Sequence, residues 1–579
     1  MFSAKHFPTL TKLKAICILI VLGLLVYANA LNNRFVWDDD GQIVNNVMVH
    51  SLENLGMLYA GSTFGFSASN QLSGVYYRPM MSTFFAITYT IFGSNPFFFH
   101  LFQVIVHIGN AIIIFLLFKY FFPASLSLIL ASIFLVHPIN SETVEYIANT
   151  GDVLFLFFGM MAIFIVKKNL TQIRYSVSVG LLLLWSLLSK ETGILFLPII
   201  FLWKWLFYRK NMVKLSFIFA GVITVYSLNR FGLAHLYFNK PDSIPLSSLD
   251  LLHRMLNIPQ IIFYYLSQFI FPLRLSIAQL WIVKSIDIST FWIPLLVDAM
   301  LLISLAFIGF YFWKRDRQYL KGYVFFCCWF VLGLLIYLQI IPLDMTVADR
   351  WFYFPMVGLL GIIGILLSKL ISMHTRWNAW IILTLSIVIL LFSIRTMIRN
   401  QDWKDAATLF RHDLLISKNN YQLELLLAYE LNKTGNYQES LIYSKKSIQH
   451  FPTYSGWSNL GVAEIKSGNT NKGIIALENA YEMRPYEDVA QNLAYALLLY
   501  KQPQEAKDFI QQQLTKFPNN PNFWFYLAMA NYKLGNNPEA ITAAQQCYFL
   551  SYGEKCKVIY LNLQQSQKIP PELLKTLLN

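Results

Sequence analysis

Residues 12–40 of the chain read KLKAICILIVLGLLVYANALNNRFVWDDD. Lys12 and Lys14 stand at the head of an apolar run that lasts to about Leu31, and Asp38, Asp39 and Asp40 close the stretch. A membrane span needs roughly 20 apolar residues, and basic residues collect at the cytoplasmic ends of spans. The stretch therefore reads as a first membrane helix entered from the cytoplasm, with an acidic loop emerging on the other side. A signal peptide has a similar outline. Here no small-residue cleavage site stands out and more spans follow, so the helix is expected to be retained.

Outward from this stretch the membrane character continues. Further apolar stretches lie near 97–121, 125–139, 148–166, 174–189, 193–208, 213–231, 256–272, 291–313, 322–341, 350–371 and 378–395. Only 13% of the 579 residues are charged, against about 25% in soluble chains. That deficit excludes a soluble enzyme, a disordered chain and a coiled coil. Five cysteines exclude a scaffold built from disulfides. The net charge of +14 does not point to nucleic acid, because the basic excess sits in the apolar part: 28 Lys+Arg against 15 Asp+Glu before residue 400, 17 against 16 after it. The clusters Lys167/Lys168/Arg174, Lys204/Arg209/Lys210/Lys214 and Lys314/Arg315/Arg317/Lys321 all fall inside if one segment between 190 and 290 does not cross. The weakest is 256–272, short and interrupted by Pro259. About 11 crossings result, with the C-terminal part outside and the acids concentrated in outer loops.

The last third is decided by self-similarity. Pro452, Pro485 and Pro518 recur every 33 residues, and the turn signals Gly435-Asn436-Tyr437, Gly468-Asn469-Thr470 and Gly535-Asn536-Asn537 keep the same phase. Lys501-Gln502-Pro503 fills the third slot. Trp457, Leu460, Gly461, Ala480 and Pro485 occupy tetratricopeptide positions, and Trp524, Leu527, Ala528, Gly535 and Ala540 repeat them. Each helix pair leaves an apolar face that only its neighbours can cover. About four helix-turn-helix units are expected from near 402 to 552, with a last helix as cap. Cys547 and Cys556 are either a disulfide or two buried thiols.

The outer loops carry the chemistry-bearing residues. Charges beside a bilayer are costly, and their default reading is functional. A carboxylate near an apolar wall makes a general base, and a neighbouring acid lets one do chemistry while the other positions. Other polar islands interrupt the apolar runs: Tyr77-Arg78-Pro79, His107, His137-Pro138 with Glu142 and Glu145, Asp152, Lys190-Glu191-Thr192, and Asp349-Arg350. Singly, each has a plain structural explanation: a solvated loop end, a core histidine, a helix stop, a local ion pair. Together, the parity argument puts them on one side of the membrane. Arg78, Lys190 and Arg350 there suit a phosphate, and a phosphate at a membrane surface suggests a lipid phosphate.

In this order the islands resemble a known family. Phe35-Val36-Trp37-Asp38-Asp39 with Ile43, Tyr77-Arg78-Pro79, the helix around His107, His137-Pro138 with Glu142 and Val144, Ser189-Lys190-Glu191-Thr192-Gly193, Asp349-Arg350 with Tyr353 and Pro355, and the trailing repeats are similar to the transmembrane and tetratricopeptide-repeat-containing O-mannosyltransferases and their bacterial relatives, of the GT-C superfamily. The resemblance covers nearly the whole chain. It implies an all-α fold: a polytopic GT-C helix bundle over 1–399, then a tetratricopeptide α-solenoid over 400–579 on the outer face. It implies an inverting glycosyltransferase that uses a polyprenyl- or dolichyl-phosphate sugar, mannose in the family's case, and an acceptor hydroxyl, with no cofactor or metal. Asp38, with Asp39 as partner, would supply the base, the choice among Asp38, Asp39 and Asp40 staying open. Arg350, Lys190 and Arg78 would contact the donor phosphate, supported by His137, Glu142, Glu191 and Asp349. The repeats would hold an acceptor protein or peptide. Relatives often carry Arg where Thr150 precedes Gly151-Asp152, which leaves donor and acceptor open.

Three other readings compete. The acceptor could be a glycan or lipid. A transporter would want repeated halves and polar residues at the midplane, and neither stands out. A non-catalytic scaffold anchored for its repeats would hardly need 11 crossings. A bacterial inner membrane is favoured over an endoplasmic reticulum because the array is short.

Overall fold

The computed structural model describes residues 10–64, 76–168, 170–237, 246–373, 378–551 and 553–565. Among them the chain is helical throughout; the only β feature is an isolated bridge between Gln279 and Val347. Two compact units form, divided between Ser417 and Lys418.

The first unit is a bundle of apolar helices. Seven among the described residues are long and apolar enough to cross a membrane: Pro96–Phe118, Ile147–Val166, Met212–Leu233, Ile288–Arg315, Arg317–Leu335, Asp349–Met373 and Ala379–Asp402. The bent pair Ala124–Val136 and Pro138–Glu145 makes an eighth if it is one span. The expectation of 11 also counts Lys12–Val26, Ile173–Ser189 and Phe196–Phe207, which are 15, 17 and 12 residues long. Segment 256–272 is the 13-residue helix Ile258–Ile270, with Pro259 in its first turn, where a missing N–H costs nothing. One short apolar helix, Pro79–Phe92, was not among the expected stretches; it starts directly at the Tyr77-Arg78-Pro79 island.

Burial sorts these helices into an inner and an outer set. Ile147–Val166 and Asp349–Met373 are largely enclosed by protein. Ile288–Arg315 and Ala379–Asp402 bury little and leave Met300, Ile303 and Phe307 about two-thirds exposed. In water that surface would be costly; against lipid it is the expected exterior, so the unit is a multi-pass membrane bundle. Close approaches fall where the sequence supplies glycine. A Cβ on Gly151 would lie 2.6 Å from the Ser189 carbonyl oxygen, so only glycine lets the two chain segments meet there.

The boundary falls later than residue 399 for a visible reason. The helix Ala406–Ile416 is tied to the membrane unit through Asp413, whose carboxylate takes Arg399 Nη1 at 2.7 Å, Arg399 Nη2 at 3.2 Å and the Ile277 N–H at 2.7 Å.

The second unit is the expected solenoid. Its pairs are Tyr421–Lys433 with Tyr437–His450, Tyr454–Lys466 with Thr470–Met483, Glu487–Tyr500 with Pro503–Lys516, and Pro521–Leu534 with Asn537–Ser551; Glu554–Gln564 follows as the cap. The array thus begins at 421 rather than near 402. Gly435, Gly468 and Gly535 have φ of 79°, 88° and 79° in the within-pair turns, the left-handed region glycine tolerates. Cys547 and Cys556 form a disulfide, with Cα atoms 5.6 Å apart, joining the last paired helix to the cap.

Candidate active site

The acidic loop after the first helix is bent sharply. Trp37 has φ 53°, a conformation bulky residues seldom adopt. Its ring stacks on Tyr146, centroids 5.6 Å apart and planes 6° from parallel. Beyond the bend the aspartates part company. Asp39 is fully buried; one oxygen accepts the Val36 N–H at 2.9 Å and the other the Ala148 N–H at 2.7 Å. It fastens the loop to the turn Ile147–Asn149. Asp38 is half-buried, and burial pushes its carboxyl up to about 6. The Tyr146 hydroxyl and the Arg350 guanidinium oppose that rise, and Asp344 adds to it. The two acids therefore do not share one setting: Asp39 is committed to backbone, and Asp38 sits near the pH at which a base is most useful.

The three cations expected to contact a phosphate are each met by a carboxylate. The Arg350 backbone N–H donates to one Glu142 oxygen at 3.0 Å, and its guanidinium donates to the other. The partners are 208 residues apart in sequence and both are buried. Lys190 Nζ lies 2.6 Å from each oxygen of Asp152, an encounter the Gly151–Ser189 approach permits. Burial lowers the Lys190 pKa, Asp152 pulling the other way. Arg78 Nε donates to Glu191 Oε2 at 3.0 Å, and a second guanidinium, Arg230, places Nη1 3.5 Å from Oε1. The Tyr77 N–H donates to the same carboxylate at 3.3 Å, and Arg230 Nη1 donates to the Tyr226 hydroxyl at 3.0 Å. Burial alone would raise the Glu191 pKa, but the charges of Arg78 and Arg230 and the hydrogen bonds the carboxylate accepts together outweigh it and hold the group below its usual range. The pairs belong to one neighbourhood: Arg78 and Arg350 both act on Asp38 and on Lys190.

The remaining expected residues are placed differently. His137 lies in the bundle interior, its Nε2 donating to the Phe269 carbonyl at 2.9 Å and its Nδ1 accepting the Ile139 N–H at 3.2 Å. Both nitrogens are occupied by backbone, so it supports the fold. Asp349 accepts the Tyr264 hydroxyl at 2.5 Å. His107 bonds the Tyr353 hydroxyl at 2.7 Å and the Leu135 carbonyl at 2.9 Å. The Thr150 hydroxyl donates to the Gln103 side-chain carbonyl.

Sequence reasoning missed Arg230, Asp344 and Tyr146 as members of the neighbourhood. Arg230 closes the apolar stretch 213–231 as a single basic residue with no motif around it. Asp344 is a lone exposed acid six residues before Arg350. Its loop is shaped by buried Gln339, which bonds the Leu343 N–H and the Met345 and Thr346 carbonyls. Among the described residues no three His, Cys, Asp or Glu side chains are grouped as a metal would require.

Residues 78–228, which include Arg78, Asp152, Lys190 and Glu191, match the family described as dolichyl-phosphate-mannose-protein mannosyltransferase. The protein O-mannosyl-transferase F38B6.6 of Caenorhabditis elegans is 26% identical over 458 residues, which cover 76% of this chain and 63% of that one. The protein O-mannosyl-transferase TMTC3 of Homo sapiens is 24% identical over 524 residues, covering 81% of this chain and 54% of that one. The chain thus spans between half and two-thirds of the length of these curated relatives. Among solved structures, that of ArnT from Cupriavidus metallidurans bound to undecaprenyl phosphate aligns at a TM-score of 0.39 and 12% identity, over 80% of this chain and 79% of that one. Over most of its length, then, the chain is similar to the transmembrane and tetratricopeptide-repeat-containing O-mannosyltransferases, as the order of its motifs implies.

Proposed function

We propose that this protein is an inverting membrane glycosyltransferase that moves a sugar from a polyprenyl-phosphate donor to an acceptor hydroxyl on the outer face of the membrane. One observation carries the reading: Asp38 is a half-buried carboxylate with its pKa near 6, beside Arg78 and Arg350, in a chain similar to O-mannosyl-transferases. In the reaction the acceptor oxygen attacks the anomeric carbon and its proton passes to Asp38. The bond from that carbon to the phosphate oxygen breaks, and its electron pair leaves with the polyprenyl phosphate. The leaving group is already a good one. What it needs is fixed positive charge at the oxygen that gains electrons, and Arg78, Arg230, Lys190 and Arg350 are the residues proposed to supply it. Asp39 keeps Asp38 in place. No metal or cofactor enters this scheme.

The acceptor class proposed is a protein Ser or Thr. The repeats support it by offering a cavity of about 320 Å³ lined by Lys466, Asn492, Tyr495, Asn522 and Tyr526, a mixture of amide and aromatic groups suited to an extended peptide. The Cys547–Cys556 disulfide supports placing the repeats in an oxidising space outside the cytoplasm. The test is transfer of radiolabel from a mannosyl polyprenyl phosphate in membranes holding the wild type or Asp38→Asn, at matched insertion. Label in protein with the wild type alone is expected. Label in the lipid or glycan fraction would move the acceptor, and no label from the wild type would refute the donor.

A further inference from the structure

The membrane helices Ile288–Arg315 and Arg317–Leu335 are joined by a single residue, Asp316, and a groove of about 520 Å³ runs between them. Leu302 and Val331 line its far end, Trp313 and Leu320 the end at the turn. From 302 to 313, as from 320 to 331, the helix rises about 16 Å, the depth of one leaflet of a hydrocarbon core about 30 Å thick. Ala306 and Gly309 in the lining leave room, and a Cβ on Gly309 would stand 3.3 Å from the Tyr323 ring. The Tyr323 hydroxyl donates to the Leu305 carbonyl at 2.7 Å, so its polar end has a partner in the protein. The turn end, by contrast, is basic. Lys314, Arg315, Arg317 and Lys321 are all exposed. Two of them reach back to the groove: Lys314 Nζ lies 4.7 Å from the Phe310 ring centroid, and Arg317 Nε donates to the Trp313 carbonyl at 3.2 Å. Asp316 is the only acid between Asp298 and Asp344, and it is met by Lys369 at 2.6 Å, a further cation from the helix Asp349–Met373. Basic residues after a span also set topology, but that role needs no leaflet-deep groove beside them.

We propose that this groove binds one glycerophospholipid of net negative charge, an acyl chain lying between the two helices and the headgroup phosphate among Lys314, Arg317 and Lys321. Three observations commit the occupant. The lining is apolar, which suits a hydrocarbon chain and gives water nothing to bond. Its length is that of one leaflet, so a chain that enters it leaves its headgroup at the level of the turn. The cations there attract an anionic headgroup, whereas a zwitterionic one brings a cation of its own that they repel. The lipid has a mechanical part as well. The helix Ile288–Arg315 buries little against protein, and the bound chain supplies contacts along this seam that side chains do not. None of the lining residues belongs to the candidate active site, so the site stands apart from the donor reading.

The test uses the purified full chain in detergent, titrated with phosphatidylglycerol and with phosphatidylcholine of the same acyl chains and read by native mass spectrometry. The wild type is expected to take up one phosphatidylglycerol per chain, about tenfold more tightly than phosphatidylcholine. A fluorescent phosphatidylglycerol in the same detergent should lose that preference in about 1 M salt, where charges are screened beyond about 3 Å. Ala306→Trp fills the groove from an exposed position and should abolish tight binding of phosphatidylglycerol. Lys314→Gln with Lys321→Gln should erase the preference and leave phosphatidylcholine binding as it was; if that variant fails to insert, the salt series decides. Equal binding of the two lipids overturns the proposal, as does an Ala306→Trp variant that keeps phosphatidylglycerol. Displacement by soluble glycerol phosphate as effective as by the lipid would reduce the site to an anion patch, and stronger displacement by polyprenyl phosphate would give the groove to the carrier lipid; either result refutes it.

Discussion

Replacing Asp38 by Asn keeps the size of the side chain and its hydrogen bonding but removes the ability to take a proton. General-base catalysis contributes about 10²–10⁴-fold, so kcat for sugar transfer should fall by about that factor. The pH profile sharpens the expectation. The carboxyl is pushed to about 6 chiefly by burial, and only its ionised form can act as base. Activity should therefore rise with pH through about 6 and level off above it. One pH unit below the inflection about a tenth of the molecules carry the ionised group, so kcat/KM at pH 5 should be about a tenth of the plateau. The Tyr146 hydroxyl opposes the rise, so Tyr146→Phe should move the inflection upward while leaving a measurable rate. The assay is radiolabel transfer in membranes between pH 5 and 8, with insertion checked by protease accessibility. An Asp38→Asn variant that keeps more than about a tenth of wild-type activity would refute the assignment of the base. A wild-type profile flat between pH 5 and 7 would refute the argument from burial.

Other consequences concern stability. Lys190→Met leaves Asp152 buried without its partner, and breaking a buried pair costs about 3–5 kcal/mol; thermal unfolding in detergent should show the loss, and Lys190→Met with Asp152→Leu should recover part of it. Arg399→Met strips Asp413 of its guanidinium at a similar cost of about 3–5 kcal/mol, and limited proteolysis should then cut near the helix Ala406–Ile416. Cys547→Ser opens the short loop to Cys556 at a cost of about 2–3 kcal/mol, to be read from unfolding of the repeat unit. In the wild type, thiol labelling before and after reduction should show this pair protected until reductant is added.

What the sequence made legible follows from range. The first helix, the acid loop and the repeats are local signals: hydropathy over some 20 residues, or a period of 33. Asp38 stood out because three acids follow a span directly. The pairing of charges was not legible. Arg350 and Glu142 are 208 residues apart, and Lys190 and Asp152 are 38 apart, so nothing in either local pattern names its partner. Lys190-Glu191 looked like a local pair; in the fold the two side chains serve different partners. The backbone partners of His137 were not legible because a histidine before proline at a helix end looks the same whether its ring meets substrate or a backbone carbonyl. Arg230 was overlooked because a single basic residue closing an apolar run carries no local sign of the carboxylate it meets 39 residues away. The start of the repeats was placed near 402 by extending the 33-residue period backwards from its proline and glycine marks, whereas the helix Ala406–Ile416 lies ahead of the first pair and Asp413 binds it to the bundle.

The separation of Glu142 from Arg350 also sets a timetable for synthesis. A ribosome adds about 5–20 residues per second, so Glu142 is made roughly 10–40 seconds before the guanidinium that will neutralise it. During that interval the carboxyl has no guanidinium to pair with. The Arg350 segment then arrives as a late clasp that closes on the buried carboxylate, so a chain stalled before residue 350 would hold that acid without its guanidinium. Ribosome pausing between the two positions should therefore decide how much of the newborn protein reaches the assembled form.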